Sequence, residues 1–596
     1  MGTPAVTSGG QTWLRYSSGP GRWVLLGTVL GSALASIDAT VVGIALPAIG
    51  HDFHTGLADL QWVVTAYTLT LAGLLLFAGA LGDKYGRKRI FLTGVVWFAL
   101  ASLICAIAPS APVLIAARAI QGIGAALLTP GSLAIIEASF HPDDRSKAIG
   151  AWSGLSGVGI AIGPFIGGWL IQVASWRLIF VINLPLAALV VAVGLRHIPE
   201  SRDPDVSGKL DVAGSVLVTF GLVGLTYGLI EGPTVGWLDP LPLAALIAGV
   251  TLLIAFLAWE RRARAPILPL NLFGSAQFTS ANVVTFAVYA ALGGALFLLP
   301  IQLQEVSGYT ALEAGISLLP VTVITLLLSA RSGALAARIG PRLQMSFGPI
   351  VIAAGLALFT RIGSSGNYLT EVLPAVVVFG FGLAINVAPL TSTVLAAVPA
   401  EHAGVASAVN NDVARAASLI AVAVLPAAAG LTGTSYLHPA EFTAGFHRAS
   451  LIAAGLCVIG GVLAAVFIRN PRPARVEAAP APGPLHCSLD APPARVLVAT
   501  PPCGPCGRVQ LENHRSASNP AGRLTGPGRG AGPAVVQLRS SRRKATSCSN
   551  SRRAAATGMA TSAPTSPSKA PPTRTATTDT MPGTRTVLPM MRGTSR

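Results

Sequence analysis

Fourteen stretches of predominantly apolar residues, most about 20 or more long, recur along this chain, and that recurrence leaves few folds open. About 20 residues of helix span the ~30 Å hydrocarbon core of a bilayer. Lipid offers no hydrogen bonds, so the backbone of each span must satisfy its own. The stretches fall at 23–47, 58–81, 90–109, 112–138, 147–170, 176–195, 212–230, 239–259, 278–303, 312–336, 342–362, 371–396, 404–428 and 447–468. Only 11% of the residues are charged, against about 25% in a soluble protein. The chain therefore reads as an all-α polytopic membrane protein.

Orientation follows from basic residues in short loops, which stay in the cytoplasm. Loops after even-numbered spans carry Lys84, Arg87, Lys88 and Arg89, then Arg145 and Lys147, Arg196, Arg202 and Lys209, Arg261, Arg262 and Arg264, and Arg338 and Arg342. The loop from His51 to Asp59 has no Lys or Arg. Both termini are expected in the cytoplasm, with the His51–Asp59 loop outside.

The formal net charge of +17 is not spread evenly. Residues 471–596 contribute +14 of it, which excludes nucleic-acid binding as a property of the apolar body. This tail, rich in Pro, Ala, Ser, Thr and Arg, has no apolar period and cannot offset its ordering entropy, so it is expected to be disordered. It is open to two readings: a contact for anionic lipid, or an unselected extension, even one translated from a shifted frame. Its Cys503-Gly-Pro-Cys506 lacks the βαβ setting of a redox motif. Of the six cysteines, Cys105 and Cys457 lie in apolar spans and the rest in the tail, which is no disulfide framework.

An internal repeat organises the spans. Gly79-Ala-Leu-Gly-Asp-Lys-Tyr-Gly-Arg-Lys88 aligns with Gly333-Ala-Leu-Ala-Ala-Arg-Ile-Gly-Pro-Arg342 at an offset of 254. Gly122, Gly124 and Pro130 align with Gly380, Gly382 and Pro389 at 258–259. A six-helix half at about 30 residues per span needs ~180 residues. The excess is room for two more spans, and 212–230 and 239–259 fit. The expected organisation is a cytoplasmic N-terminus at 1–22, a six-helix bundle at 23–196, two added helices at 210–260, a second bundle at 278–468 and the tail at 471–596.

Two charges interrupt the apolar spans. Arg118 lies inside the fourth, where a guanidinium costs roughly 2.5–3.5 kcal/mol to insert. Such a residue persists where water, a partner charge or a substrate meets it. Asp38 lies inside the first. Its titration responds to desolvation and to nearby cations, so it can exchange a proton; the alternative is a structural carboxylate bonded to Thr40 or a neighbouring helix. Glu137 is expected at the cytoplasmic interface, and Glu231 and Glu305 at outer loops or span ends. Trp62, Tyr67 and Tyr289 are candidates for a pocket or for interfacial anchors.

Glycines mark two further places. In the loop between spans two and three, Gly82 and Gly86 permit a tight turn and close approach. There Asp83 can accept N–H bonds at the start of span three or pair with a base, while Arg87 and Lys88 stay cytoplasmic. In span five, Gly159, Gly163 and Gly167 fall four apart beside Pro164, and a stripe of small residues lets membrane helices pack closely.

These motifs resemble the major facilitator superfamily. Gly79 to Arg89 is similar to its signature loop. Leu34-Ala-Ser-Ile-Asp38-Ala-Thr-Val-Val-Gly-Ile-Ala-Leu-Pro47 resembles the first-span motif of its fourteen-helix drug:proton antiporters of the EmrB/QacA type. Arg118 to Ala126 resembles the fourth-span motif, and Gly154 through Gly163-Pro164-Phe-Ile-Gly167-Gly168 the fifth-span antiporter motif. Ser175 to Pro185 also fits that group. The resemblance covers about residues 20–470. In the second-half loop Ala337 stands where Asp83 does in the first, which removes that charge. What the resemblance implies is a major facilitator fold: two six-helix bundles plus two inserted central helices, fourteen transmembrane helices in all. It implies a gating role for the loop residues and control of leakage by the fifth-span glycines. The implied function is proton-driven efflux of amphipathic small molecules by a monomer in the cell membrane, with Asp38 and Arg118 coupling the proton and no cofactor or metal. An uptake carrier, or an exporter of one metabolite, shares the architecture. An enzyme is not expected, since no catalytic or metal-spaced cluster is apparent.

Overall fold

The computed structural model describes residues 6–8, 11–202, 210–399 and 402–470. Lys209, the 471–596 tail and its cysteines, including Cys503 and Cys506, lie outside the described residues. A short antiparallel hairpin, β1 (Val6–Ser8) with β2 (Gln11–Trp13), precedes the helices.

Fourteen helices among the described residues are long and apolar enough to cross a membrane. They are α1 (Gly19–Phe53), α2 (Leu57–Tyr85), α3 (Arg87–Ala106), α4 (Ala111–Ser139), α5 (Pro142–Val173), α6 (Leu178–His197), α7 (Val212–Val235) and α8 (Pro240–Glu260). After these come α9 (Ala276–Val306), α10 (Ala311–Ile339), α11 (Pro341–Arg361), α12 (Tyr368–Ala396), α13 (Ala403–Ala428) and α14 (Pro439–Phe467). Local chemistry sets several ends. Ser18, Asp211, Asp239 and Ser275 accept N–H bonds at the starts of α1, α7, α8 and α9, which satisfies donors the helix cannot. Thr310 and Glu313 form a reciprocal capping box on α10. That helix breaks at Leu318, just before Pro320, whose ring removes an N–H and restricts the residue before it.

Helices α1–α6 form one bundle and α9–α14 the other. In the first, α3 packs on α4 through bare backbone. A Cβ at Gly94 would meet Leu128 N at 2.8 Å, and one at Gly124 would meet Phe98 N at 2.7 Å. In the second bundle the same contact recurs between α11 and α12. There a Cβ at Gly348 would lie 3.2 Å from Asn386 N, and one at Gly382 would lie 2.5 Å from Ile352 N. The repeat read from sequence is thus a repeat of packing.

The two loop copies also match in detail. Gly86 (φ 117°) and Gly340 (φ 87°) have dihedrals that L side chains rarely adopt. Over Gly86 sits Glu200, whose Oε1 accepts from Lys88 N at 3.1 Å, while Lys88 Nζ donates to Leu195 O at 3.1 Å. Over Gly340 sits Asn470, whose Oδ1 accepts from Arg342 N at 3.1 Å, while Arg342 Nε donates to Ala465 O at 2.8 Å. Gly82, expected to allow a close approach, does not serve one: the nearest atom to a Cβ there is 4.0 Å away. Gly86 alone carries the tight turn. Asp83 pairs with Arg87 at 2.8 Å, and Arg87 N donates to Ser201 O at 2.9 Å. The donors at the start of α3 are therefore met by the segment after α6 rather than by Asp83.

The inserted pair α7–α8 closes on itself through glycine. A Cβ at Gly224 would lie 3.0 Å from Gly249 Cα. Helix α7 rests on α2, where Thr219 Oγ1 donates to Gly73 O (3.2 Å) and Trp62 Nε1 donates to Glu231 Oε1 (2.9 Å). It also reaches the other bundle, where Leu222 packs with Leu69 of α2 and Leu419 of α13. Helix α8 turns Ile247, Ile254 and Leu241 outward, each more than half exposed, as lipid-facing residues are.

Candidate functional site

Asp38 and Arg118 meet in the first bundle. Arg118 Nη1 donates to Asp38 Oδ2 at 2.6 Å, and both side chains are 1% exposed. Two neutral amides complete the acceptor. Gln121 Nε2 donates to Asp38 Oδ1 at 2.8 Å and Asn183 Nδ2 to the same oxygen at 2.9 Å. Arg118 in turn donates to Gln121 Oε1 (2.6 Å) and, through Nε, to Val63 O (3.1 Å). Its guanidinium lies 4.4 Å from the centre of the Tyr67 ring and 5.8 Å from that of Phe180, a favourable place for a desolvated cation. Ser102 Oγ accepts from Gln121 Nε2 at 2.8 Å and from Asn183 Nδ2 at 3.3 Å. Five helices thus converge on one charge pair: α1, α2, α3, α4 and α6.

The sequence singled out the two charges; the amides and Ser102 were missed. Gln121 lies three residues from Arg118, one helical turn along the same face, and that spacing was the available signal. Thr40, the structural alternative for holding Asp38, donates instead to Ser36 O (3.1 Å) and Ile37 O (3.0 Å) of its own helix. Tyr67 is 2% exposed beneath Arg118, so it is no interfacial anchor. Breaking a buried pair strands a charge and costs about 3–5 kcal/mol. The repeat does not extend to this chemistry: at the offset of 258, Val376 stands where Arg118 does.

The glycine stripe packs inside the bundle. A Cβ at Gly159 would lie 3.1 Å from Ala33 Cβ, one at Gly163 would lie 3.3 Å from Thr40 Cβ, and one at Gly167 would lie 3.3 Å from Val41 Cβ. All three face α1, on the segment that carries Asp38. The neighbouring motif residues face the other bundle. A Cβ at Gly168 would lie 2.7 Å from Leu312 Cα of α10, and one at Gly315 would lie 2.8 Å from Pro164 C.

Contacts between the bundles gather at the His54 end. Gln304 Nε2 donates to Ile44 O (3.0 Å), His51 Nε2 lies 2.9 Å from Glu305 Oε1, and Gln61 Nε2 donates to Val422 O at 2.5 Å. Tyr436 Oη donates to Thr55 O (2.7 Å) and Leu57 N to Gly433 O (2.8 Å). Among the described residues, every hydrogen bond between the bundles lies in this set or directly beside it. The seam is sealed at one end. Gln304 and Glu305 lie in a π-helical stretch at the end of α9, a local widening common at functional sites.

Two six-helix bundles of repeated packing, joined at one end and enclosing a buried charge pair, define a membrane transporter. The chain belongs to the major facilitator superfamily, whose sequence pattern it matches over residues 28–423. It is 36% identical to the puromycin resistance protein pur8 of Streptomyces alboniger over 477 residues, covering 77% of this chain and 93% of that one. It is 34% identical over 424 residues to the tetracenomycin C resistance and export protein of Streptomyces glaucescens (71% and 77%). It is 35% identical over 426 residues to the methylenomycin A resistance protein of Bacillus subtilis strain 168 (70% and 90%). Its fold is similar to that of a bacterial homologue of the human lysosomal transporter Spinster, at a TM-score of 0.55 and 17% identity over 76% of this chain and 97% of that one.

Proposed function

We propose that the chain exports amphipathic drug-like compounds from the cell in exchange for protons, as a monomer in the cell membrane. The observation that carries this reading is the pinning of α1 by the Asp38 node. Both Asp38 oxygens are occupied by donors from α4 and α6, and the same helix bonds the other bundle at Ile44. These points are six residues apart, about 9 Å of helix. A proton on Asp38 removes the charge that Arg118 holds, frees α1 from α4 and α6, and so loosens the seal at Ile44. Substrate and proton then bias opposite states, each only by its differential affinity for the two. The relatives named for resistance or export support the substrate class. Two additional groupings belong to the same reading: Gly82, Asp83, Gly86, Arg87 and Lys88 as the gating loop, and Gly159, Gly163, Pro164, Gly167 and Gly168 as the contact that keeps α5 against α1 and α10.

Cells expressing the chain should tolerate severalfold more puromycin or methylenomycin than control cells, and a protonophore should abolish the difference. Unchanged tolerance overturns export; protonophore-insensitive tolerance overturns proton coupling.

In this reading the sealed end faces outward. Cysteine introduced at Thr55 should react with an impermeant maleimide on intact cells, and cysteine at Lys84 only after permeabilisation. The reverse pattern inverts the topology.

A further inference from the structure

The second bundle holds a charged pair of its own, on α13. Asp412, Arg415 and Leu419 follow at i, i+3 and i+7, hence along one helix face. Leu419 fixes where that face points, since it packs against Leu69 of α2 and Leu222 of α7. One turn further along, α2 approaches again, where Gln61 bonds the carbonyls of Val422 and Ala423. Asp412 and Arg415 therefore lie at the seam where α13 meets the first bundle, near the middle of a 26-residue span. The charge of Arg415 reaches Tyr67 across the seam and Tyr289 on α9.

The fold leaves polar atoms of both side chains without a hydrogen bond. Asp412 Oδ1 and Arg415 Nε are both buried with no hydrogen-bond partner, although the residues as a whole are part-exposed. They do not form an ion pair with each other within 4.0 Å, so each keeps open capacity. Buried charged groups left unbonded are costly, and such atoms are met by water or by a ligand. The Asp38 node is the opposite case: its oxygens are already taken, so it has little left to offer a ligand.

We propose that Asp412 and Arg415 form a substrate-binding site that takes a compound presenting a hydrogen-bond donor and an acceptor side by side. The donor, a hydroxyl or a protonated amine, meets Asp412. The acceptor, a carbonyl or phenolate oxygen, meets Arg415. Cβ atoms one helical turn apart are about 5–6 Å from each other, which sets the scale of the matching groups. The pair is neutral overall, so it accepts neutral and zwitterionic compounds and gives no advantage to either sign of net charge. Tyr67 is shared: it stacks on Arg118 at 4.4 Å and feels Arg415, so a ligand here adjoins the Asp38 node. This assignment rests on the export reading for the identity of the site as a substrate site.

The test is equilibrium binding to the purified full chain in nanodiscs, with ethidium as a cation, fluorescein as an anion and chloramphenicol as a neutral compound. Asp412→Asn leaves an unbalanced cation and should weaken ethidium about tenfold while holding or strengthening fluorescein. Arg415→Gln should do the reverse, and both should weaken chloramphenicol. Asp412→Glu keeps the charge and should bind all three within a few-fold of the native chain, which separates lost recognition from lost folding. Equal losses for all three probes in both charge variants, no change in either, or no binding of any probe to the native chain would overturn the site. Binding is read without a gradient, so the proposal stands apart from proton coupling. Opposite shifts of specificity in a chain that fails to export uphill would keep this site and remove the export reading.

Discussion

Asp38→Asn should abolish uphill export in proteoliposomes with an imposed proton gradient, with accumulation falling to the level reached without a gradient. Asparagine keeps the shape and an acceptor oxygen but cannot carry a proton or balance Arg118. The stranded guanidinium costs about 3–5 kcal/mol of stability, so flux is compared per folded molecule. Substrate counterflow, which needs no net proton movement, should persist in part. Arg118→Lys should also fail, because an ammonium is a point charge without the planar fork that reaches Asp38, Gln121 and Val63 O at once. The deciding record is proton movement on addition of substrate. If Asp38→Asn leaves it unchanged, Asp38 is a structural residue.

Gly163→Leu should insert normally and export nothing. The first added carbon would already lie 3.3 Å from Thr40 Cβ and 3.4 Å from Ile37 O, and three more follow. Overpacking typically costs 1–3 kcal/mol, and here it pushes on the α1 segment that holds Asp38. Gly163→Ala should lose part of the activity, and adding Thr40→Ala should restore it, since that change removes the atoms in the way. Full export by Gly163→Leu would mean that this face of α5 meets something softer than α1. Gly159, Gly163 and Gly167 hold α5 to its own bundle, and Gly168 with Pro164 makes the contact across the seam.

The spans were legible because the hydrocarbon core imposes a length, and lipid leaves helices no alternative to internal bonding. Asp38 and Arg118 were legible because a charge in such a span needs a reason. The same argument applies to Asp412 and Arg415, which stand in the 404–428 stretch, yet they were passed over. Their one-turn spacing in an apolar helix was the missed signal. Gln121, Asn183 and Ser102 carry no charge to mark them, and their convergence depends on how α3, α4 and α6 pack. The caps that Glu200 and Asn470 place over Gly86 and Gly340 join residues over a hundred positions apart, which no local pattern announces. Gly82 shows the converse: a glycine in a signature loop suggests a close approach, but the nearest atom to a Cβ there, Arg87 Cα, stands at an ordinary 4.0 Å.

Two-bundle transporters have two long flanks where the halves meet, one along α5 and α10, the other along α2 and α13. Here the second flank is not bare. Helix α7 lies across it, bonded to α2 at Gly73 and Trp62 and meeting α13 through apolar contacts such as that of Leu222 with Leu419. Hydrogen bonds on one side and oil on the other make α7 a passenger of the first bundle and a sliding surface for the second. The α2–α13 flank is therefore curtained from the membrane by an added helix, whereas on the α5–α10 flank the halves close on each other directly, at Gly168 and Gly315.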